Sequence, residues 1–195
     1  NIPTPKRDSR WKSIHGINFI MFDLSVEENR KIKTSMNKYV DFTFNIYMDA
    51  DSIIQNSQFD EMVELLLLDN PDLLLNHFAE YPFSDGRFQN IYLRALHQFG
   101  CKMPLQIYNG AFIGFKKNMR TDEFFKTWNR YWVEFGSQQE MPSLACAINK
   151  NSELKILNLP KGFFSPDERD DNSIVQHNYN ADFHNRVGVE YIDLQ

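Results

Sequence analysis

Apolar positions along the chain recur with two periods. GINFIMFD (16–23) and DFTFNIYM (41–48) are short, largely apolar runs rich in strand formers, and each ends at or beside an aspartate. DLLLNHF (72–78) is a third such run, bounded by Pro71 and Pro82, and LQIYNGAFIGF (105–115) is a fourth. Gly110 inside the fourth signals a bulge or a close backbone approach. ELKILNL (153–159) is a fifth, and VEYIDL (189–194) reads as a closing strand.

Between these runs the period is helical. SVEENRKIKTSMNKY opens with Ser25 and Glu28 in capping-box spacing. Ser57 and Asp60 give a second S-x-x-D start for QFDEMVELLLLD, apolar at Phe59, Met62, Val63, Leu66 and Leu67. A third helix is predicted from about Asp85 to Phe99, ending at Gly100. Thr121 is the predicted cap of TDEFFKTWNRYWVEF, whose Phe124, Phe125, Trp128, Trp132 and Phe135 share one face before Gly136. A short helix is predicted over 140–150. Residues 1–12 and 165–186 read as irregular, the latter as a polar, acidic tail.

Strands alternating with helices predict an α/β fold: one domain over 1–195, a mostly parallel central sheet and flanking helices. The length suits a single core and no repeat is visible. Ligands in such sheets collect beyond the carboxyl ends of strands, where Asp23, Asp49 and Asp51 fall.

A net charge of −5 argues against nucleic acid as partner. The 17 Phe and 8 Tyr are first of all core material, with some rings left to line a groove for a sugar or base. Cys101 and Cys146 form neither a disulfide framework nor a zinc pattern, so thiols in a reducing compartment, the cytoplasm, are expected. No window spans a membrane, since LLLLDNPDLLL is broken by Asp69, Asn70, Pro71 and Asp72. The sequence starts at Asn1 without Met, so an upstream strand, anchor or signal is an open expectation.

D-x-D as a bare spacing carries nothing: with 15 Asp in the chain, chance supplies about one. Its context is informative. Carboxylates two residues apart on an extended segment point the same way, and hard oxygens on one side suit Mg²⁺ or Mn²⁺. The plain alternative is a solvated acidic turn capping the helix at Ser57.

YMDADSII, behind a strand and ahead of a helix, resembles the D-x-D segment of glycosyltransferases with the GT-A fold. In chain order, FIMFD resembles their F-x-D strand end and NRKIK their R-x-x-K. YNGAFIGFKKN is similar to their F/Y-N-x-G-x-x-x-x-N segment. QQEMPSLACAI is similar to the D-Q-x-x-L helix start, and QHNYN to the late histidine segment. The likeness covers about residues 17–180 and extends to small viral and bacterial members, including the type chlorella viruses use for capsid glycans, which act in the host cytoplasm. Two departures stand out. The family's first nucleotide-binding strand is missing or upstream of Asn1, and its D-Q pair reads Gln139-Glu140 here.

The resemblance implies a metal-dependent hexosyltransferase moving sugar from a UDP-linked donor to a glycan or glycoprotein hydroxyl. It implies Mn²⁺ or Mg²⁺ on Asp49, Asp51 and His177, with His184 in reserve. Asp51 would also serve catalysis. Asp23, Arg30, Lys33, Asn109 and Gly110 join Asp49 as donor-binding candidates. Glu140 would face the anomeric carbon as base or as charge stabiliser, and His77 and Glu80 would face the acceptor. A sugar-phosphate nucleotidyltransferase and a non-catalytic carbohydrate-binding domain remain the alternatives.

Overall fold

The computed structural model describes residues 26–40, 42–49, 52–82, 89–136, 140–165 and 173–177. The predicted strands at 16–23 and 189–194, Ser25, Asp23, Asp51, Asp85, Gln139 and His184 lie outside the described residues, as does most of the 165–186 tail.

In chain order the elements are α1 (Val26–Lys33), a single 3₁₀ turn (Met36–Lys38), β1 (Phe44–Met48), β2 (Ser52–Ile54), α2 (Phe59–Leu68) and β3 (Leu73–Tyr81). There follow α3 (Gln89–Phe99), β4 (Leu105–Lys116), α4 (Met119–Phe135), α5 (Met141–Lys150), β5 (Ile156–Asn158), β6 (Phe164–Ser165) and β7 (Val175–His177). The main sheet has strand order β1-β4-β3-β5, and a small second sheet has order β2-β7-β6.

The fold is α/β, but among the described strands the sheets are mixed and largely antiparallel, which corrects the mostly parallel expectation. β1/β4 and β3/β4 are antiparallel, and β3/β5 is parallel. Both antiparallel pairings in the main sheet come from one strand. β1, β3 and β5 all run the same way, with β4 inserted against them. Alternating strand and helix signals do not contain strand direction. Here Tyr81, at the end of β3, pairs with Leu105, at the start of β4, so the chain containing α3 leaves and re-enters at the same end of the sheet.

Successive side chains of a strand face opposite ways, which divides the apolar residues into two cores. Leu73 and Leu75 pack with Ile113, Phe115, Phe124, Phe125, Trp128 and Leu144 under α3, α4 and α5. Leu74 packs the other way, with Phe112, Phe59, Phe163, Phe164 and Val175. A strand covered on both faces has no polar side, so LLL shows no alternation. Gly114 lets β3 approach: a Cβ there would lie 2.9 Å from Leu74 Cβ.

Helix starts differ in detail from the sequence pattern. Asn118, in extended conformation, caps α4 by accepting from the N–H groups of Arg120 and Thr121, and Thr121 Oγ1 accepts from Asn118 N–H in return. Thr121 is thus the reciprocal partner, and the cap lies three residues earlier. Before α2, Asn56 Oδ1 accepts from Gln58 N–H, and Ser57 is exposed. The predicted face of α4 is buried apart from half-buried Trp132, and Gly136 ends the helix with φ of 61°.

The far end of the sheet is fastened by Asp72, 1% exposed. Its carboxylate accepts from Asn118 Nδ2 at 2.7 Å, Arg120 Nε at 2.8 Å, Arg120 Nη2 at 2.9 Å and Lys155 N–H at 2.9 Å. One side chain therefore ties the starts of β3, α4 and β5. Burial pushes its pKa up, but the bonds from Arg120, Lys155 and Asn118 outweigh that and hold it below the usual carboxylate range.

Asp72→Ala is expected to cost about 2 kcal/mol, because it leaves the part-buried Asn118 amide and Lys155 N–H without their acceptor. A folded-state pKa below the unfolded one gives stability that is present above the unfolded value and lost as pH falls through the folded one. Urea unfolding should therefore show the gap between wild type and Asp72→Ala closing below about pH 4; a gap independent of pH contradicts this role. Gly114→Ala should cost about 1–3 kcal/mol in the same assay, by forcing β3 and β4 apart.

Candidate functional site

Five segments meet where β1 runs out. Asp49 N–H donates to Ala111 O at 2.9 Å, which continues the β1/β4 ladder by one step and sets Asp49 beside Gly110. Ser52 N–H then donates back to Asp49 O at 2.9 Å, so the chain turns and β2 begins. β2 pairs antiparallel with β7, with Ser52 opposite His177. That register brings His177 Nε2 to 3.8 Å from Asp49 Oδ2.

Lys33 lies in the last turn of α1, 3% exposed. Its ammonium donates to Asp49 Oδ1 at 3.0 Å and to Glu140 Oε1 at 2.8 Å. Arg30, one turn earlier on the same helix, puts Nε 3.5 Å from Glu140 Oε2. Tyr47, two residues before Asp49 and so on the same side of β1, donates its hydroxyl to Asp49 Oδ1 at 2.6 Å. The Lys33 ammonium also lies 5.2 Å from the Tyr47 ring centroid.

Glu140 immediately precedes α5. Its carbonyl accepts from Leu144 N–H at 2.9 Å and Ser143 Oγ at 2.7 Å, so the residue is anchored by its backbone while its side chain reaches Lys33. Gly110 supplies the floor. A Cβ there would lie 3.3 Å from both Glu140 Oε1 and Lys33 Nζ, so the absence of a side chain lets the ion pair rest on the strand. β4 bulges at this point: Leu75 pairs with Ile113 but Asn76 pairs with Asn109. Asn109 Oδ1 accepts from Ala111 N–H at 2.7 Å across the bulge.

The charges adjust to one another. Burial works to discharge the Lys33 ammonium, but Asp49 and then Glu140 outweigh it and hold Lys33 charged well above the ordinary lysine range. Burial pushes the Glu140 carboxyl up, and Lys33, by charge and hydrogen bond, brings it below the usual range with help from Arg30. Burial raises the Tyr47 hydroxyl, and Asp49 raises it further against the pull of Lys33, so the phenol keeps its proton.

Of the residues singled out in the sequence, Arg30, Lys33, Asp49, Gly110, Glu140 and His177 come together, and Asn109 shapes the bulge beneath them. His77 and Glu80 are elsewhere. They are exposed on β3 and linked through Gln106, with His77 Nε2 at 2.7 Å from Oε1 and Gln106 Nε2 at 2.5 Å from Glu80 Oε2. Tyr47 was not singled out, although its place two residues before Asp49 on a strand was a usable signal. The bridging role of Lys33 had no sequence signal, because Glu140 is brought to it only by the fold.

The donor set suits a hard divalent ion in part. Asp49 Oδ2 and His177 Nε2, 3.8 Å apart, fall within the span of two ligands on one ion, roughly 3 Å for neighbouring and 4 Å for opposite positions. Among the described residues no three His, Cys, Asp or Glu side chains form a metal-holding group. The other aspartate of the D-x-D, Asp51, lies outside them.

Lys33→Met is expected to destabilise the fold by about 3 kcal/mol, since it leaves two partly buried carboxylates without their shared cation. Adding Glu140→Gln should recover part of that loss. Denaturant melts of the two single variants and the double variant measure the coupling, and strictly additive losses contradict the bridge.

No family model, no curated protein and no solved structure matches this chain.

Proposed function

We propose that the chain is a metal-dependent glycosyltransferase of GT-A type. It moves a sugar from a nucleotide-diphosphate donor, a UDP-sugar, to a hydroxyl of a glycan or glycoprotein. One observation carries the reading. Arg30, Lys33, Asp49, Gly110, Glu140 and His177, nominated from motifs spread along the chain, are gathered at the end of β1. A sheet of like-directed strands with one opposed member, and a site beyond a strand's carboxyl end, are compatible with that fold.

Breaking the anomeric C–O bond builds negative charge on the departing diphosphate. A divalent ion held by Asp49 and His177, with Asp51, would act as Lewis acid toward that charge. Lys33 and Arg30 supply cationic N–H donors at the same place. Gly110 lets the Lys33–Glu140 pair lie close against the strand, which fixes the charges that the donor would meet.

Glu140 is ionised and its basicity is lowered by Lys33. A weakened base is poorly matched to taking a proton from an acceptor hydroxyl near neutral pH. Its better role is electrostatic: a fixed negative charge beside the anomeric carbon as that carbon becomes cationic.

UDP should raise the melting temperature in the presence of Mn²⁺ or Mg²⁺ and leave it unchanged without them. Asp49→Asn should remove that metal-linked shift and lower UDP-sugar turnover by about 100-fold or more. Calorimetry and a UDP-release assay on both proteins check this. A shift that needs no metal, or turnover indifferent to Asp49, counts against a metal-dependent transferase. Pyrophosphate release from a nucleoside triphosphate and a sugar phosphate would instead identify a nucleotidyltransferase.

A further inference from the structure

Cys101 and Cys146 are free thiols from separate elements. Cys101 follows α3, with its N–H donating to Leu96 O at 3.2 Å, and it is half-buried. Cys146 sits in the middle of α5 and is fully buried. A two-way clamp joins their surroundings. Lys102 N–H donates to Asn149 Oδ1 at 2.8 Å, and Asn149 Nδ2 donates to Lys102 O at 2.9 Å. Asn149 and Cys146 are three residues apart on one helix and share a face, so a clamp on Asn149 carries Cys101 to Cys146. Cys101 packs against the core that contains Cys146, and the two thiols are near enough to influence each other's ionisation.

We propose that Cys101 and Cys146 are an oxidisable dithiol, a modification site for hydroperoxides in which Cys101 reacts first and Cys146 closes an intramolecular disulfide. The order follows from access. Cys101 is half-buried and Cys146 is fully buried, so Cys101 is the thiol that an oxidant can reach. The thiolate is the nucleophile, and the one that meets the oxidant reacts first.

In the first step Cys101 sulfur attacks a peroxide oxygen. An S–O bond forms, the O–O bond breaks, and with the thiol proton one water leaves, giving a sulfenic acid. In the second, Cys146 sulfur attacks Cys101 sulfur. The S–S bond forms, the S–O bond breaks, and hydroxide leaves with the Cys146 proton as a second water. Two thiols are oxidised by two electrons, and one peroxide is reduced.

The bridge would join the segment after α3 to α5, the helix that starts directly after Glu140. Tyr92 of α3 lies within electrostatic reach of both Glu140 and Cys146. The modification therefore falls on the elements behind the carboxylate that pairs with Lys33, and it does not depend on what that site binds.

The experiment treats the full chain with equimolar hydrogen peroxide, then alkylates and maps peptides by mass. The expected result is loss of both thiols together, a Cys101–Cys146 linked peptide lighter by two hydrogens, a higher melting temperature and full reversal by dithiothreitol. Cys101→Ser should leave Cys146 unoxidised at the same dose. Cys146→Ala should stop Cys101 at a sulfenic acid that dimedone traps. Separate overoxidation of the two sulfurs, a bridge only between two chains, or ready oxidation of Cys146 in the Cys101→Ser protein overturns the proposal. The wild-type map decides even where a variant folds poorly.

Discussion

A lysine ammonium buried between two carboxylates is the constraint around which this protein is arranged. Lys33 has almost no contact with water, and an unpaired charge there is untenable. It is tolerable only because Asp49 and Glu140 arrive from different parts of the fold to share it. The ion group therefore makes three otherwise separate decisions interdependent: where α1 ends, where β1 ends and where α5 begins. Tyr47 and Arg30 complete the ring by donating to Asp49 and facing Glu140, respectively. Such a group contributes less to net stability than apolar packing of similar volume would.

Backbone irregularities make the meeting possible. β4 slips against β3 at Asn76/Asn109, and this bulge falls at Gly110, where the missing side chain leaves room for the ion pair. Asn109 stabilises the bulge with its own side chain. On the other side of Asp49, Ser52 starts a second sheet that brings β7, and with it His177, alongside and adds Phe164 and Val175 to the second core. The regular elements hold the two cores and carry Arg30, Lys33, Tyr47 and His177, and the bulge at Gly110 makes room for them to meet.

Much of this was legible in the residues and some was not, for identifiable reasons. Local signals report local structure. The apolar runs located β1, β3, β4 and β5, the 3.6-residue period located α2 to α5, and Gly110 announced the bulge. Direction is not local. Nothing in the order of strands and helices states that the chain around α3 returns to the end of the sheet it left, so the parallel expectation failed at β4, and it failed again where β2 meets β7. Caps were misplaced by a few residues because Asn118, Thr121, Asn56 and Ser57 all carry side-chain oxygens able to accept from the N–H groups of a helix start, and backbone geometry chooses among them. The lysine bridge was out of reach because Lys33 and Glu140 are remote in sequence and only the fold brings them together.

The charge sum at the site constrains any proposed substrate. Arg30 and Lys33 balance Asp49 and Glu140, so these four side chains are neutral together. An incoming diphosphate would meet two cations already engaged and two carboxylates that repel it. Lys33 cannot turn fully to phosphate without abandoning a carboxylate, which in so dry a place raises the cost of both. The proposed transferase chemistry therefore requires an added positive charge that takes over Asp49. A divalent ion meets that requirement: once it engages Asp49, Lys33 can stay with Glu140 while the sum at the strand end becomes positive. His177 Nε2 lies 3.8 Å from the other oxygen of Asp49, so its ring is the further ligand that such an ion would meet there.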